Sequence, residues 1–299
     1  MPQGSVLGPL LFNIFINDFL LFTITSGVCN FADDNTLYDH DKKIDNVVLS
    51  LEEKLRKALY WFEINHLSAN PEKFQLMFLG TKTKSNFALN IKGTITRSTL
   101  KAILLGITVD WKLTFNKHVN ALCKTANKKA SALMRLRNDL STSQKLILYQ
   151  SFVRSKFGYC PLVWMFCGKT ANKKIDSVQK RALQAVYNDF NLPHESLCSK
   201  GNHLKVHLEN LKWLLIEVYK SLHSESPTIL CNIFTRKPSN YNLRINNLLL
   251  LPKTSTLTYG LHSFVYRGSI SWNNLPDEFK NVENSSIFKF SALFLYILF

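Results

Sequence analysis

Two adjacent aspartates, Asp33 and Asp34, are the residues of this chain best suited to chemistry. They lie in the stretch Val28-Cys29-Asn30-Phe31-Ala32-Asp33-Asp34-Asn35-Thr36-Leu37-Tyr38. Apolar and β-favouring residues flank the polar Asp-Asp-Asn step on both sides, which predicts a β-hairpin bending at the aspartates. Such a bend carries carboxylates past the edge of a sheet. Carboxylate oxygens presented in this way are hard ligands suited to Mg²⁺, which keeps several waters and is held by one or two carboxylates together with substrate phosphates. The chemistry implied is phosphoryl transfer. The same three residues are also ordinary turn formers, so the pair alone does not decide the matter.

A second segment lies upstream, Pro2-Gln3-Gly4-Ser5-Val6-Leu7-Gly8-Pro9-Leu10-Leu11-Phe12, followed by Asn17-Asp18. Together the two segments resemble the Pro-Gln-Gly and Phe-Ala-Asp-Asp motifs of reverse transcriptases from non-LTR retrotransposons of the jockey and X-element kind. Leu67-Ser68-Ala69-Asn70-Pro71-Glu72-Lys73 and Leu104-Leu105-Gly106-Ile107 resemble the two motifs that follow in that family, in the same order. Tyr259-Gly260, Ser263-Phe264 and Trp272-Asn273-Asn274-Leu275-Pro276 resemble the tail of these element proteins.

The resemblance implies RNA-directed DNA polymerisation by a two-metal mechanism, with Mg²⁺, an RNA template, a DNA primer and deoxynucleoside triphosphates. Asp33 would be the metal ligand and Asp34 its support, since neighbours on an extended chain point to opposite faces. Lys73 would act as general acid toward the leaving pyrophosphate. Gln3, Gly4, Phe31 and Ala32 would border the template and incoming nucleotide. In the family a further catalytic aspartate precedes the Pro-Gln-Gly motif, and no residue here matches it. The expectation is therefore a polymerase fragment cut on its N-terminal side.

Charge is unevenly distributed. The chain carries 37 lysines and arginines against 21 acids, and residues 112 to 190 alone hold 15 basic and 3 acidic side chains. A basic excess concentrated in one segment is the electrostatic footprint of a nucleic-acid binder, although a solvated helix surface gives the same count. Lys117, Lys124, Lys128, Lys129, Arg135 and Arg137 are the candidates for following a phosphate backbone.

The six cysteines have no Cys-x-x-Cys spacing, which suits a reduced intracellular protein. By resemblance, the nucleus is one possible compartment. No signal peptide is apparent. The run from Pro9 to Thr25 is broken by Asn13, Asn17 and Asp18, and Phe290 to Phe299 is shorter than the ~20 residues a membrane helix needs, so both read as buried core and no membrane partner is expected. No feature identifies a protein partner.

The elements that must position these residues follow from periodicity. Ile44, Val47, Val48, Leu51, Leu55, Ala58, Leu59 and Phe62 form one helical stripe, with Glu52, Glu53, Lys54 and Lys57 largely opposite. Phe74, Leu76 and Phe78 alternate as a half-buried strand, and residues 86 to 109 predict further strands with hairpins around Gly93 and Gly106. From about Phe115 the pattern becomes long helices. Ser141 with Gln144 reads as a capping box, and Ile175, Val178, Ala182, Leu183 and Val186 as the stripe of a helix over residues 170 to 187. Cys198, His203 and His207 suggest a metal site only weakly, because a helix there needs an amphipathic face in any case.

The expected fold is α+β: a partial polymerase palm of antiparallel sheet with helices over residues 1 to 110, a helical thumb-like block over 111 to 190, and a small mixed C-terminal region over 191 to 299. Two functions fit: a polymerase fragment, or a catalytically inactive nucleic-acid-binding remnant of a mobile element.

Overall fold

The computed structural model describes residues 4–22, 27–81, 87–91, 93–238, 247–282, 284 and 288. Helices and short antiparallel strands alternate through the first third, and helices dominate thereafter. The chain divides into two compact units, residues 1–106 and 107–299. Among the described residues no helix is long and apolar enough to cross a membrane.

The first unit begins with α1 (Gly8–Phe22), followed by β1 (Val28–Phe31), β2 (Asp34–Leu37) and α2 (Ile44–Ile64). The predicted stripe of α2 packs inward, joined by Trp61, which the stripe had omitted. Phe19 of α1 lies edge-on to Trp61 at 5.2 Å and stacked on Phe62 at 5.1 Å, and Val28 and Leu37 of the hairpin pack against this cluster. The predicted burial of the apolar run is corrected here. Only Ile16 and Phe19 of α1 are buried, while Leu10, Ile14 and Leu21 are each more than half exposed. A helix apolar on every side has more surface than one stripe of α2 can cover.

β3 (Ala88–Ile91) and β4 (Thr94–Arg97) form a second ribbon, and β5 (Lys101–Leu104) ends the unit. Gly93, at φ +86°, makes the turn between β3 and β4, and Leu105 and Gly106 also take positive φ. The strands pair as separate two-stranded ribbons, whereas the sequence predicted a continuing sheet. Residues 74–78 likewise do not form the predicted strand. Leu76 is buried and makes a single parallel bridge to Ser98. Beside it the Gln75 side chain, not a backbone ladder, bonds both the N–H (2.8 Å) and the carbonyl (3.2 Å) of Ile103.

The second unit holds β6 (Ile107–Asp110), α3 (Asn116–Arg135), α4 (Thr142–Leu148), α5 (Pro161–Trp164), α6 (Lys169–Tyr187), α7 (His194–Lys200), α8 (Val206–Leu222), α9 (Thr228–Cys231), α10 (Phe264–Asn273) and α11 (Asp277–Lys280). The capping box forms as predicted: Ser141 Oγ accepts from the Gln144 N–H, and Gln144 Oε1 accepts from the Ser141 N–H at 3.0 Å. All five predicted stripe residues of α6 are buried. They meet Cys123, Ala126, Ala130 and Leu133 of α3, and the alanines on both helices let the two backbones approach closely. A second cluster gathers Leu215, Val218 and Tyr219 of α8 with Phe234, Leu249 and Trp272. Trp272 is thereby core, as expected, and Phe264 packs partly buried beside it.

Candidate active site and basic helical surface

The aspartates lie on the β1–β2 hairpin, but the bend falls one residue earlier than the sequence suggested. Phe31 pairs with Asp34, so the turn consists of Ala32 and Asp33, and Asp34 and Asn35 already belong to β2. Asn30 accounts for this register. Its Nδ2 donates to the Ala32 carbonyl at 2.9 Å and to Asn35 Oδ1 at 2.8 Å, fixing Asn35 opposite it in the ladder. Ala32 takes φ 52°, a left-handed conformation that costs a non-glycine residue roughly 1 kcal/mol. Asp33 thus occupies the exposed tip, and neither its carboxylate nor that of Asp34 has a hydrogen bond or ion pair among the described residues. Phe31 beside them is 66% exposed.

The base of the hairpin is clasped to α2 by a buried lysine. Lys54 Nζ donates to the Tyr38 carbonyl at 3.1 Å and pairs with Asp39 Oδ2 at 2.9 Å, and Ser50 Oγ donates to the same carboxylate oxygen. Hydrogen bonds from Lys54 and then Ser50 hold the Asp39 carboxyl far below the ordinary carboxylate range. This corrects the placement of Lys54 on the solvent face of the helix. Gly27, at φ +112°, closes the ladder beneath, where a Cβ would collide with the Tyr38 carbonyl and come within 2.8 Å of Lys54 Nζ. The clasp was not apparent in the sequence; the one available signal was a lysine bordering an apolar stripe, fifteen residues after an aspartate.

Of the other candidates, Lys73 ends the short turn Pro71–Lys73 and is exposed, while Asn70 Oδ1 caps that turn from the Glu72 N–H at 3.0 Å. Gly4 takes φ +88° in an open turn before α1. Gln3 lies outside the described residues. The aspartates and Lys73 are not linked by any bond among the described residues. No three His, Cys, Asp or Glu side chains converge as a metal cage among those residues. Cys198 is instead buried in the helical core, and the His203 ring lies edge-on to Tyr149 at 5.5 Å.

In the second unit, Lys117, Lys124, Lys128, Lys129 and Arg135 are exposed along α3. Arg137 is half-buried, donating to the Met134 carbonyl at 3.0 Å with its guanidinium over Phe190. Lys129 leans on the ring of Phe152. Two cations of α6 that the sequence reading did not single out join them. Lys174 Nζ bonds Asn120 Oδ1 at 2.7 Å, and Arg181 bonds Asn127 Oδ1 at 2.9 Å. Both pairs advance by seven residues in the same direction, so α3 and α6 run parallel and their exposed seam carries cations from both. The matched seven-residue spacing of asparagines and cations was the sequence signal.

Residues 1–140 match the reverse transcriptase (RNA-dependent DNA polymerase) family. This segment is thus similar to reverse transcriptases. The chain is 29% identical over 196 residues to an RNA-directed DNA polymerase from the mobile element jockey of Drosophila melanogaster, an alignment covering 62% of this chain and 21% of the relative. It is 30% identical over 175 residues to a Pol polyprotein from a type-1 retrotransposable element R1 of Nasonia vitripennis, covering 54% and 42% respectively. A probable polymerase from the X-element of Drosophila melanogaster is 23% identical over 193 residues, covering 62% of this chain and 21% of the relative. The chain thus spans about a fifth of the jockey relative's length. No solved structure matches it.

Proposed function

We propose that this reverse transcriptase segment supplies the metal-binding hairpin and a duplex-holding helical surface to RNA-directed DNA synthesis by a non-LTR retrotransposon. The observation that carries the reading is the exposed tip of the β1–β2 hairpin, with Asp33 unpartnered among the described residues in a segment that matches the polymerase family. The donor set fits Mg²⁺ as half of a site: two hard carboxylates suit an ion that takes its remaining ligands from water and phosphate. Bound there, Mg²⁺ would supply charge stabilisation to the attacking and leaving oxygens of an in-line displacement.

Asp33 holds the metal position and Asp34 supports it from the first residue of β2. Lys73 delivers a proton to the departing pyrophosphate oxygen. Gln3, Gly4, Phe31 and Ala32 border the template and incoming nucleotide. The α3–α6 seam of the thumb-like block, residues 111 to 190, follows the phosphates of the RNA-DNA hybrid, while the palm-like part is residues 1 to 110. The second reading, a remnant that binds nucleic acid without catalysis, is supported by the exposed cations that α3 and α6 bring together, which need no metal site to hold a phosphate backbone.

Two measurements separate these readings. Mn²⁺ added as a paramagnetic probe should broaden the amide signals of Ala32 to Asn35 weakly, and Asp33→Ala should remove the effect. Primer extension on an RNA template with Mg²⁺ should give no product from the chain alone. Extension that Asp33→Ala abolishes would show that a further carboxylate completes the site, and the remnant reading would then be wrong.

A further inference from the structure

We infer that the C-terminal part of the second unit contains an anion site of the phosphate class, separate from the hairpin and from the α3–α6 seam. A cavity of about 350 Å³ is lined by His223, Arg236, Asn247, Lys280, Asn281 and Val282. None of the six is acidic and three carry or can carry positive charge.

The lining is held in place by the core behind it. Trp272, fully buried, donates its indole N–H to the Asn247 carbonyl at 2.9 Å, and Asn247 sits at φ 68°. Asn247 Oδ1 accepts from the Arg236 guanidinium at 2.8 Å, and its Nδ2 donates to Asn281 Oδ1 at 3.1 Å. Tyr219 joins the two opposite walls. Its hydroxyl donates to the Val282 carbonyl at 2.7 Å, its own carbonyl lies 2.9 Å from His223 Nδ1, and its ring stacks on the His223 imidazole at 4.0 Å.

Lys280 is buried, and its ammonium reaches the Asn273 carbonyl at 3.3 Å and Asp277 Oδ1 at 3.2 Å. Asp277 therefore offsets one of the charges. The main donors left are the four guanidinium N–H groups of Arg236 and the amide of Asn281 that have no partner among the described residues; His223, whose Nδ1–H is turned to the Tyr219 carbonyl, adds an Nε2–H donor only as the imidazolium. A planar guanidinium fork beside a second cation and an amide suits an oxyanion with several acceptor oxygens, and a dianion gains more from this field than a monoanion. The ligand is accordingly inorganic phosphate or the terminal phosphate of a polynucleotide.

Calorimetric titration of the intact chain with inorganic phosphate at fixed ionic strength tests this. Saturable binding to one site is expected, weakened by about tenfold or more in Arg236→Gln, since a charge-assisted fork is lost. His223→Gln should weaken it less. Lys237→Gln removes the same charge from the neighbouring exposed residue and should change affinity far less than Arg236→Gln. Both altered pocket residues are exposed, so the fold is not at stake. Competition by a 5′-phosphorylated but not a 5′-hydroxyl oligonucleotide would identify a polynucleotide end as the source, and competition by neither would identify free phosphate. Lack of saturable binding, or equal loss in Arg236→Gln and Lys237→Gln, would overturn the proposal.

Discussion

At the scale of single residues, the hairpin depends on Asp39 more than on the aspartates at its tip. Its carboxylate is the counter-ion of a lysine that is almost fully buried, so Asp39→Asn leaves an ammonium short of its partner. Removing one member of such a buried, hydrogen-bonded pair costs about 1–3 kcal/mol. The pH dependence has a definite sign. The folded-state pKa of Asp39 lies well below its unfolded value, so its stabilising contribution is fully present above the ordinary carboxylate pKa of about 4 and declines progressively as pH falls from there through the lower folded-state value. Urea unfolding followed at neutral pH and again near pH 3 should therefore show a less stable variant whose stability declines less on acidification than that of the parent chain. Equal declines would mean that Asp39 is not the titrating group. The hairpin at Asp33 was legible, though its bend lies one residue earlier than expected, because its turn residues are consecutive in the chain. Lys54 was not, because its partner lies across the fold and position on a helical wheel says nothing of what closes over the helix.

At the scale of elements, local signals held and nonlocal ones did not. The Ser141 capping box could be read because both halves lie within one turn of helix, whereas Gln179 went unremarked within a stripe of apolar residues. Gln179 is almost completely buried, and it donates to Tyr149 Oη at 3.1 Å and to the Leu204 carbonyl at 2.9 Å while accepting from the Val206 N–H at 3.1 Å. It therefore ties α6 to the start of α8. Ser141→Ala should cost about 1 kcal/mol, the usual loss of an N-cap. Gln179→Leu should cost more, roughly 2–4 kcal/mol, because it strands three buried polar groups whose desolvation is no longer repaid. Chemical denaturation of the two variants side by side checks the order. A Gln179→Leu chain as stable as Ser141→Ala would show that water replaces the lost amide. The strand predicted over residues 74–78 failed for a related reason: a side-chain amide, which periodicity cannot see, supplies the bonds a ladder would have made.

At the scale of the whole molecule, the segregation of charge was plain in the sequence, but its geometry was not. Composition placed 15 basic residues in one segment; only the parallel packing of α3 on α6 brings Lys174 and Arg181 to the seam beside the lysines of α3. If this seam follows a phosphate backbone, binding releases counterions, and about five phosphate contacts give a slope of log K against log salt near −4. Sequence preference should be weak, since phosphate contacts position without specifying. Replacing Lys128 and Lys129 together by alanine should flatten the slope by about 1–2 and weaken all duplexes alike. The two lysines need not contribute equally, because Lys129 already rests on Phe152 and Lys128 has no partner among the described residues. The single Lys128→Ala change should accordingly account for most of the effect. Fluorescence anisotropy on an RNA-DNA hybrid across a salt series measures all three slopes. A slope near zero for the parent chain, or one that the double substitution leaves unchanged, would make the basic seam an ordinary solvated face and remove the physical support for a duplex-holding thumb.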